Sequence, residues 1–451
     1  MKSHLVIKLS RAAPLPRGPI PHWQPFIRDK SHSVEVFEHR FDDEMHQHGL
    51  RFWVTQEYSS AGHGWSDDEI KAGFDRIFRI ILQGDAGLPP WLISRIRLNP
   101  SFESVHAIEV GDAPQPVRSA SLNQIPADRS RERIGQRAAH LFGEGDPRVK
   151  VAILDTGVDS AHPELAHAIE AQADFVNLDG LDTTGFIGDI SGYDQAADDE
   201  VGHGTHVAGI IAARGDKIPK GVAPACRIIA VRTLAAMRDG GQLVGAGIVD
   251  NINVAIKWAV DAGADVINAS LGIRHAGGGL PHEEVIAYAL SRGVTVVAAS
   301  GNDGTSEKYY PGALAGVIAV GAADHDREVA PFSSYGADVS LIAPGTSIIS
   351  TDVHHGYKIA DGTSQASPFV AGACALLRAQ ALARGSRLTD ADVKELLVRT
   401  CDQPRGPRRT PRRGYGHLNL ADACRLLDHG LRASGNPRSR SDGLLPLGQT
   451  A

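Results

Sequence analysis

A serine, a histidine and an aspartate stand in three small-residue contexts of this chain, and each context suits one part of a single reaction. Ser364 lies in Gly362-Thr363-Ser364-Gln365-Ala366-Ser367-Pro368, just before the apolar run of residues 369–377. A glycine turn opening a buried helix would put the Ser364 hydroxyl at a helix N-terminus, where unpaired N–H groups and the helix dipole favour negative charge. That suits a nucleophile whose attack creates an oxyanion. Taken alone, the same residues also make an ordinary cap on a core helix. A serine hydroxyl needs a base, and the base needs an orienting acid. His203 opens a second small-residue helix, Gly202-His203-Gly204-Thr205-His206-Val207-Ala208-Gly209. Asp155 follows the apolar run 149–154 and precedes Thr156-Gly157. It therefore falls at the carboxyl end of a predicted strand, where sites form in open α/β sheets. Asp-Thr-Gly also occurs in aspartic proteases, and His203 with His206 could ligate a metal. No further ligands follow at zinc-site spacing.

In the order Asp, His, Ser, the three motifs closely resemble the subtilisin-like serine proteases, or subtilases. The resemblance runs from about residue 134 to about residue 427. It rests on Asp155-Thr156-Gly157-Val158-Asp159 with His162-Pro163-Glu164-Leu165 after it, on residues 203–209, and on the serine motif. That last motif departs only at Gln365, where the family usually has Met. The resemblance implies a triad of Asp155, His203 and Ser364. It implies that Asn302, in Gly301-Asn302-Asp303-Gly304, donates its side-chain amide to the oxyanion, with the Ser364 N–H as second donor. It also implies that Ser270, Leu271 and Gly272, together with Ala299, Ser300 and Gly301, bind an extended polypeptide through its main chain. Asp303, beside Asn302, would then mildly favour a basic residue before the cut.

The expected function is a serine endopeptidase that needs no cofactor. The alternative is a catalytically silent peptide-binding module on the same fold. A dinucleotide enzyme is excluded, because no Gly-x-Gly-x-x-Gly follows the 149–154 run. Many subtilases hold calcium in a loop after the histidine helix. Here the stretch 214–220 carries three cations and one carboxylate, a poor hard-cation site, and no metal is expected.

The elements that must position these residues follow from the rest of the chain. From residue 149 onward, short apolar strands (227–233, 266–270, 294–299, 317–320) alternate with helices (248–260, 283–292). This predicts an α/β fold with a mostly parallel sheet covered by helices on both faces. Residues 1–125 match none of the motifs. Residues 5–9, 51–58 and 105–110 read as strands. Ser66-Asp67-Asp68-Glu69 reads as a capping box opening a helix with Ile70, Phe74, Ile77, Phe78 and Ile81 on one face. The result is a small α+β N-terminal domain, expected to be a propeptide that inhibits the cleft, or else a permanent accessory domain. Residues 111–127, rich in Pro, Ser and small side chains, read as a linker and the place of self-cleavage. The catalytic domain is expected at 126–430 and a disordered tail at 431–451.

With 451 residues, 42% hydrophobic and 22% charged, the chain can bury one large core and an accessory unit. A net charge of -7 implies neither nucleic acid nor an anionic membrane as partner. No 18-residue apolar run suggests a membrane span. The first ten residues, interrupted by Lys8, offer no secretory core or cleavage site. A cytoplasmic setting is therefore expected, with Cys226, Cys374, Cys401 and Cys424 reduced.

Overall fold

The computed structural model describes residues 3–84, 88–112, 118–122, 128–178, 182–192, 195–274, 280–403 and 408–434. Its centre is a seven-stranded parallel sheet. The spatial order is Val339–Pro344, Ile318–Ala323, Thr295–Ala299, Val266–Ala269, Lys150–Asp155, Arg227–Arg232 and Ile169–Asp174. Alternate residues of each strand feed two cores. Val151 and Ile153 pack with the helices His203–Ala212 and Thr363–Ala383, whereas Ala152 and Leu154 pack with Val249–Asp261 and Glu283–Ser291. Helices thus cover both faces, as the near-continuous apolar strands predict.

From Lys150–Asp155 the chain first builds outward to one edge, through Ile169–Asp174 and Arg227–Arg232, and then returns to add Val266–Ala269 on the other side. That reversal makes a switch point, and the crevice beyond it opens at the ends carrying Asp155 and Ser270. Among the described residues one helix, Thr363–Ala383, is long and apolar enough to cross a membrane, but 83% of its most apolar stretch is buried, and it is a core helix of this fold.

The N-terminal unit is a four-stranded antiparallel sheet in the order Phe52–Gln56, Ile77–Leu82, His4–Leu9, Phe102–Ala107. Here the sequence reading of a single helix from Ser66 through Ile81 is corrected. The capping box is present, but the helix stops at Asp67–Ala72 and Ile77–Leu82 is a strand in the middle of the sheet. Gly73 ends the helix in the left-handed conformation at φ 84°, a position glycine takes at no steric cost. The apolar run after it pairs on both edges and is buried on both sides.

Residues 5, 7, 78, 80 and 82 form the unit's own core. Residues 4, 6, 8, 77, 79 and 81, one out of register, face the helices Val249–Asp261 and Glu283–Ser291 of the larger unit. Charged groups fill that interface. Arg79 grips Glu57 with two bonds of 2.6 Å and reaches Asn251 at 2.9 Å. Lys257 lies 2.6 Å from Glu69, and His4 Nε2 lies 3.0 Å from Asp250.

The expected linker also differs from the reading. Val110–Asp112 and Arg118–Ser121 are short strands already paired with the larger unit. At the other end, the final helix Leu420–Ser434 runs past the expected boundary at 430, tied by an Arg432–Asp428 pair one turn apart at 2.7 Å. Residues 435–451, the rest of the expected tail, lie outside the described residues. The four cysteines are free thiols.

Candidate active site

Asp155 is the last residue of its strand and fully buried. Its Oδ1 lies 2.6 Å from His203 Nδ1 and also accepts the Thr156 N–H at 2.8 Å. A histidine whose Nδ1 faces a carboxylate carries its proton there, leaving Nε2 as the base. His203 Nε2 is buried and has no hydrogen-bond partner among the described residues.

His203 is the first residue of its helix, and Asp199 sets that start. Its two oxygens accept from the N–H groups of Val201, Gly202 and Thr205 at 2.7–3.0 Å and from the hydroxyls of Thr156 and Thr205 at 2.8 and 2.7 Å. The acidic stretch 194–200 reads from sequence as a solvated loop. Asp199 is instead the anchor that fixes the histidine helix against the Asp155 loop. His206, three residues on, holds the Ile348 carbonyl at 3.2 Å. Burial, with the charges of Lys358 and His203, pushes it well below the usual histidine value, so it is a neutral packing residue.

Ser364 is the second residue of a 21-residue helix. It is buried, and its Oγ donates to the Ser270 carbonyl at 3.2 Å rather than to His203. Hydrogen bonds of this kind are commonly loose without substrate. Ser270, expected to bind polypeptide, sits beneath Ser364. Its hydroxyl bonds the Ser364 carbonyl at 3.0 Å and lies 2.8 Å from Ser367 Oγ. Of the remaining expected contact residues, Leu271 is buried, Ser300 donates to the Ser334 carbonyl at 3.1 Å, Ala299 ends its strand, and Gly272 and Gly301 lie against Tyr309.

Asn302 is oriented by Thr363, a residue the sequence reading did not single out. The Thr363 N–H and hydroxyl both donate to Asn302 Oδ1, at 2.9 and 2.8 Å, and Thr363 Oγ1 accepts the Gly301 N–H at 3.2 Å. With Oδ1 held by the helix start, the amide nitrogen lies on the Gly362 side, 3.2 Å from where a Gly362 side chain would begin. The Ser364 N–H, one of the free donors of the helix's first turn, has no partner among the described residues. Gln365 is buried with Oε1 unpaired beside Gly362.

The expected pull of Asp303 on a basic residue is corrected: Asp303 is engaged by Arg274 and by the Tyr309 hydroxyl. The 214–220 loop is built around an anion. Its N–H groups from Gly215, Asp216 and Lys217 converge on the Glu164 carboxylate at 2.7, 3.1 and 2.6 Å. Converging N–H donors do not fit a cation.

A strand-end carboxylate, a helix-start histidine and a helix-start serine around one crevice are the arrangement of a subtilase. Residues 146–417 match the model of the Subtilase family, and the chain belongs to that family. The expected fold and family are thereby borne out. The chain is 37% identical over 282 residues to the thermophilic serine proteinase of Bacillus sp. (strain AK1), and the match spans 62% of each protein. It is 40% identical over 247 residues to subtilisin BL of Lederbergia lenta, covering 54% of this chain and 82% of that one. It is 33% identical over 312 residues to the major intracellular serine protease of Bacillus subtilis (strain 168), covering 67% and 87%. Among solved structures, the prenylagaramide maturation protease PagA matches with a TM-score of 0.52 and 31% identity, over 65% of this chain and 98% of that one. The family and these relatives are those of serine-type endopeptidases.

Proposed function

We propose that the chain is an intracellular serine endopeptidase made as a self-blocked precursor, with Asp155, His203 and Ser364 as its triad and Asn302 in its oxyanion hole. The observation that carries this reading is the 2.6 Å contact of Asp155 with His203 Nδ1, which leaves a buried, unpartnered Nε2. His203 takes the Ser364 proton as Oγ attacks a peptide carbonyl. Asp155 holds the ring and stabilises the imidazolium. The Asn302 amide and the Ser364 N–H receive the oxyanion. His203 then protonates the leaving amine, and water releases the acyl group. No cofactor takes part. The intracellular setting is supported by the likeness to the Bacillus subtilis relative and by four free thiols.

Intact mass before and after fluorophosphonate treatment tests the reading. One adduct at Ser364 is expected. No adduct, even after removal of the N-terminal unit, leaves a silent peptide-binding module.

The self-blocked form is supported by where the chain runs between its two units. Val110–Asp112 pairs antiparallel with the end of Gln242–Ile248, Gly111 opposite Gly247. A side chain begun at Gly245 of that strand would stand 2.5 Å from Thr156, next to Asp155. Arg118–Ser121 pairs with Gly356–Asp361, the strand that leads into Ser364. The chain thus docks on both walls of the crevice. The five residues between, 113–117, lie outside the described residues, and a segment of that length reaches at most roughly 20 Å.

Gly111 has no room for a side chain: a Cβ there would stand 2.4 Å from Ile273 Cγ2. Ile273 is buried and β-branched, so its χ1 does not yield easily. Gly111→Val is therefore expected to expel the strand and to slow the first self-cut about 10- to 100-fold, the range that overpacking of about 1–3 kcal/mol implies. Intact mass followed after refolding reads this out. Processing at the unmutated rate would show that the segment is not the one cut.

Docking of the N-terminal unit is expected to weaken in acid. Burial and the Arg79 charge bring His4 down to about 4, against the opposing pull of its Asp250 bond, and burial brings His282 down to about 4. A free histidine titrates near 6.5, so each must shed a proton to dock below that pH. Glu57 works the other way, because burial pushes it up to about 7 against its Arg79 pair. Burial and the Arg79 charge also bring His22 down to about 4, so histidines outnumber the carboxylate and docking is expected to weaken as the pH falls below about 6.5. The affinity of the cut N-terminal unit for the remainder, measured at pH 7 and pH 5, checks the sign. Tighter binding at pH 5 would refute it.

A further inference from the structure

A peptide carbonyl attacked by Ser364 must lie between that residue's Oγ and the Asn302 amide. Ser364 Oγ touches the Ser270 carbonyl, and Asn302 directly follows Gly301. The residue that donates the carbonyl therefore lies across the ends of the neighbouring strands Val266–Ala269 and Thr295–Ala299. Gly272 and Gly301 lie just past those two strand ends, and the gap between them is the space such a side chain would enter.

The ring of Tyr309 fills that gap. A Cβ on Gly301 would stand 2.4 and 2.6 Å from Tyr309 Cδ2 and Cε2, and one on Gly272 would stand 3.4 and 3.5 Å from Tyr309 Cβ and Cδ1. The two glycines make room for a tyrosine of the same chain.

The ring is held there from both ends. Tyr309–Tyr310 pairs antiparallel with Ile273–Arg274, which fixes the backbone. The Tyr309 hydroxyl donates to Asp303, and Arg274 Nε donates to that hydroxyl at 2.8 Å. Arg274 also pairs with Asp303 and with Glu307, the latter at 3.1 Å, and its guanidinium carbon lies 5.5 Å from the ring centroid. A recess that the ring also borders, lined by Ser300, Gly312, Ala313 and Tyr335 and not by Gly272 or Gly301, measures about 20 Å³. That is room for about one water, not for a ring or a long aliphatic chain.

We propose that Tyr309 is a specificity residue: it closes the recess for the side chain before the scissile bond, so the enzyme cuts after glycine, alanine or serine. This rests on the protease reading above. In the stretch that joins the two docked strands, Ala113-Pro114-Gln115-Pro116-Val117, one residue, Ala113, is of the size such a recess admits.

The test uses the full-length chain, self-processed where it processes, with active sites counted by fluorophosphonate. Peptides differing only in the residue before the cut, Ala or Phe, are compared for kcat/KM. The unmutated enzyme is expected to favour Ala by about 30-fold or more, within the range that pocket volume commands. Tyr309→Gly is expected to raise the Phe peptide at least tenfold relative to the Ala peptide. Tyr309→Phe, which keeps the ring, is expected to keep the preference.

Equal cleavage of both peptides by the unmutated enzyme overturns the proposal, even if Tyr309→Gly does not fold. An unchanged ratio in a folded Tyr309→Gly overturns it as well. A preparation that takes up phosphonate yet shows no preference leaves the protease reading standing and removes only this one. A preparation that takes up none and cuts neither peptide removes both.

Discussion

Ser364→Ala is expected to lower kcat by about 10⁶, a magnitude established on a subtilisin, and to leave the chain at its full mass indefinitely. The size of the loss comes from the unity of the machinery. Without Oγ there is no acyl-enzyme, and the Asp155–His203 pair has no proton to move. The residual rate is what substrate binding and the oxyanion donors give to attack by water. The fold should tolerate the change. Among the described residues the one side-chain bond lost is that to the Ser270 carbonyl at 3.2 Å, worth about 1 kcal/mol, and the Ser270 hydroxyl still holds the residue-364 carbonyl. Turnover of a fluorogenic peptide and intact mass over several days measure both halves. Activity within a hundredfold of the unmutated chain would show that another nucleophile does the work.

Asn302→Ala is expected to cost about 10²–10³ in kcat, about 2.7–4 kcal/mol of barrier, with KM nearly unchanged. The donor serves an oxygen that becomes negative only in the transition state, so its loss spares ground-state binding. Thr363→Val makes the complementary case. It removes the 2.8 Å bond that, with the Thr363 N–H, fixes the Asn302 amide, yet it leaves the amide present. About a tenfold fall in kcat is expected, since one of the two anchors remains. The double variant should then be no worse than Asn302→Ala alone, because Thr363 acts through Asn302. Additive losses would assign Thr363 a separate role. A fall in Asn302→Ala confined to KM would remove Asn302 from the oxyanion site.

The positions of the proposed triad were legible because their contexts are local. An apolar strand ending in Asp155, and helices opening at His203 and next to Ser364, are written in consecutive residues, and a parallel sheet places strand ends and helix starts at one edge. The α/β class was legible for the same reason, from apolar runs of strand length between helical ones. Where local pattern is ambiguous, the reading failed. Ile70, Phe74, Ile77, Phe78 and Ile81 fit a helical face, yet Gly73 stops the helix and the run 77–82 pairs with strands on both edges. Only partners distant in sequence decide between the two.

The supporting residues belong to the tertiary structure for a related reason. Asp199 as the anchor of the histidine helix, Thr363 as the anchor of Asn302, and Tyr309 between two glycines are ordinary polar or aromatic residues in sequence. Their roles exist only because segments 35 to 61 residues apart are brought within hydrogen-bond reach, as Arg274 and Tyr309, Thr156 and Asp199, and Asn302 and Thr363 are. The same holds for the seam between the two units. The alternation that sends residues 4, 6, 8, 77, 79 and 81 to one face is readable once the strands are known. That this face carries His4, Lys8 and Arg79 and meets Asp250, Glu284 and Asn251 is decided by docking alone. By itself the sequence determined which groups could react and on what kind of sheet. The tertiary structure alone decided what holds them in place and what fills the space beside them, because both depend on contacts between segments that no local pattern brings together.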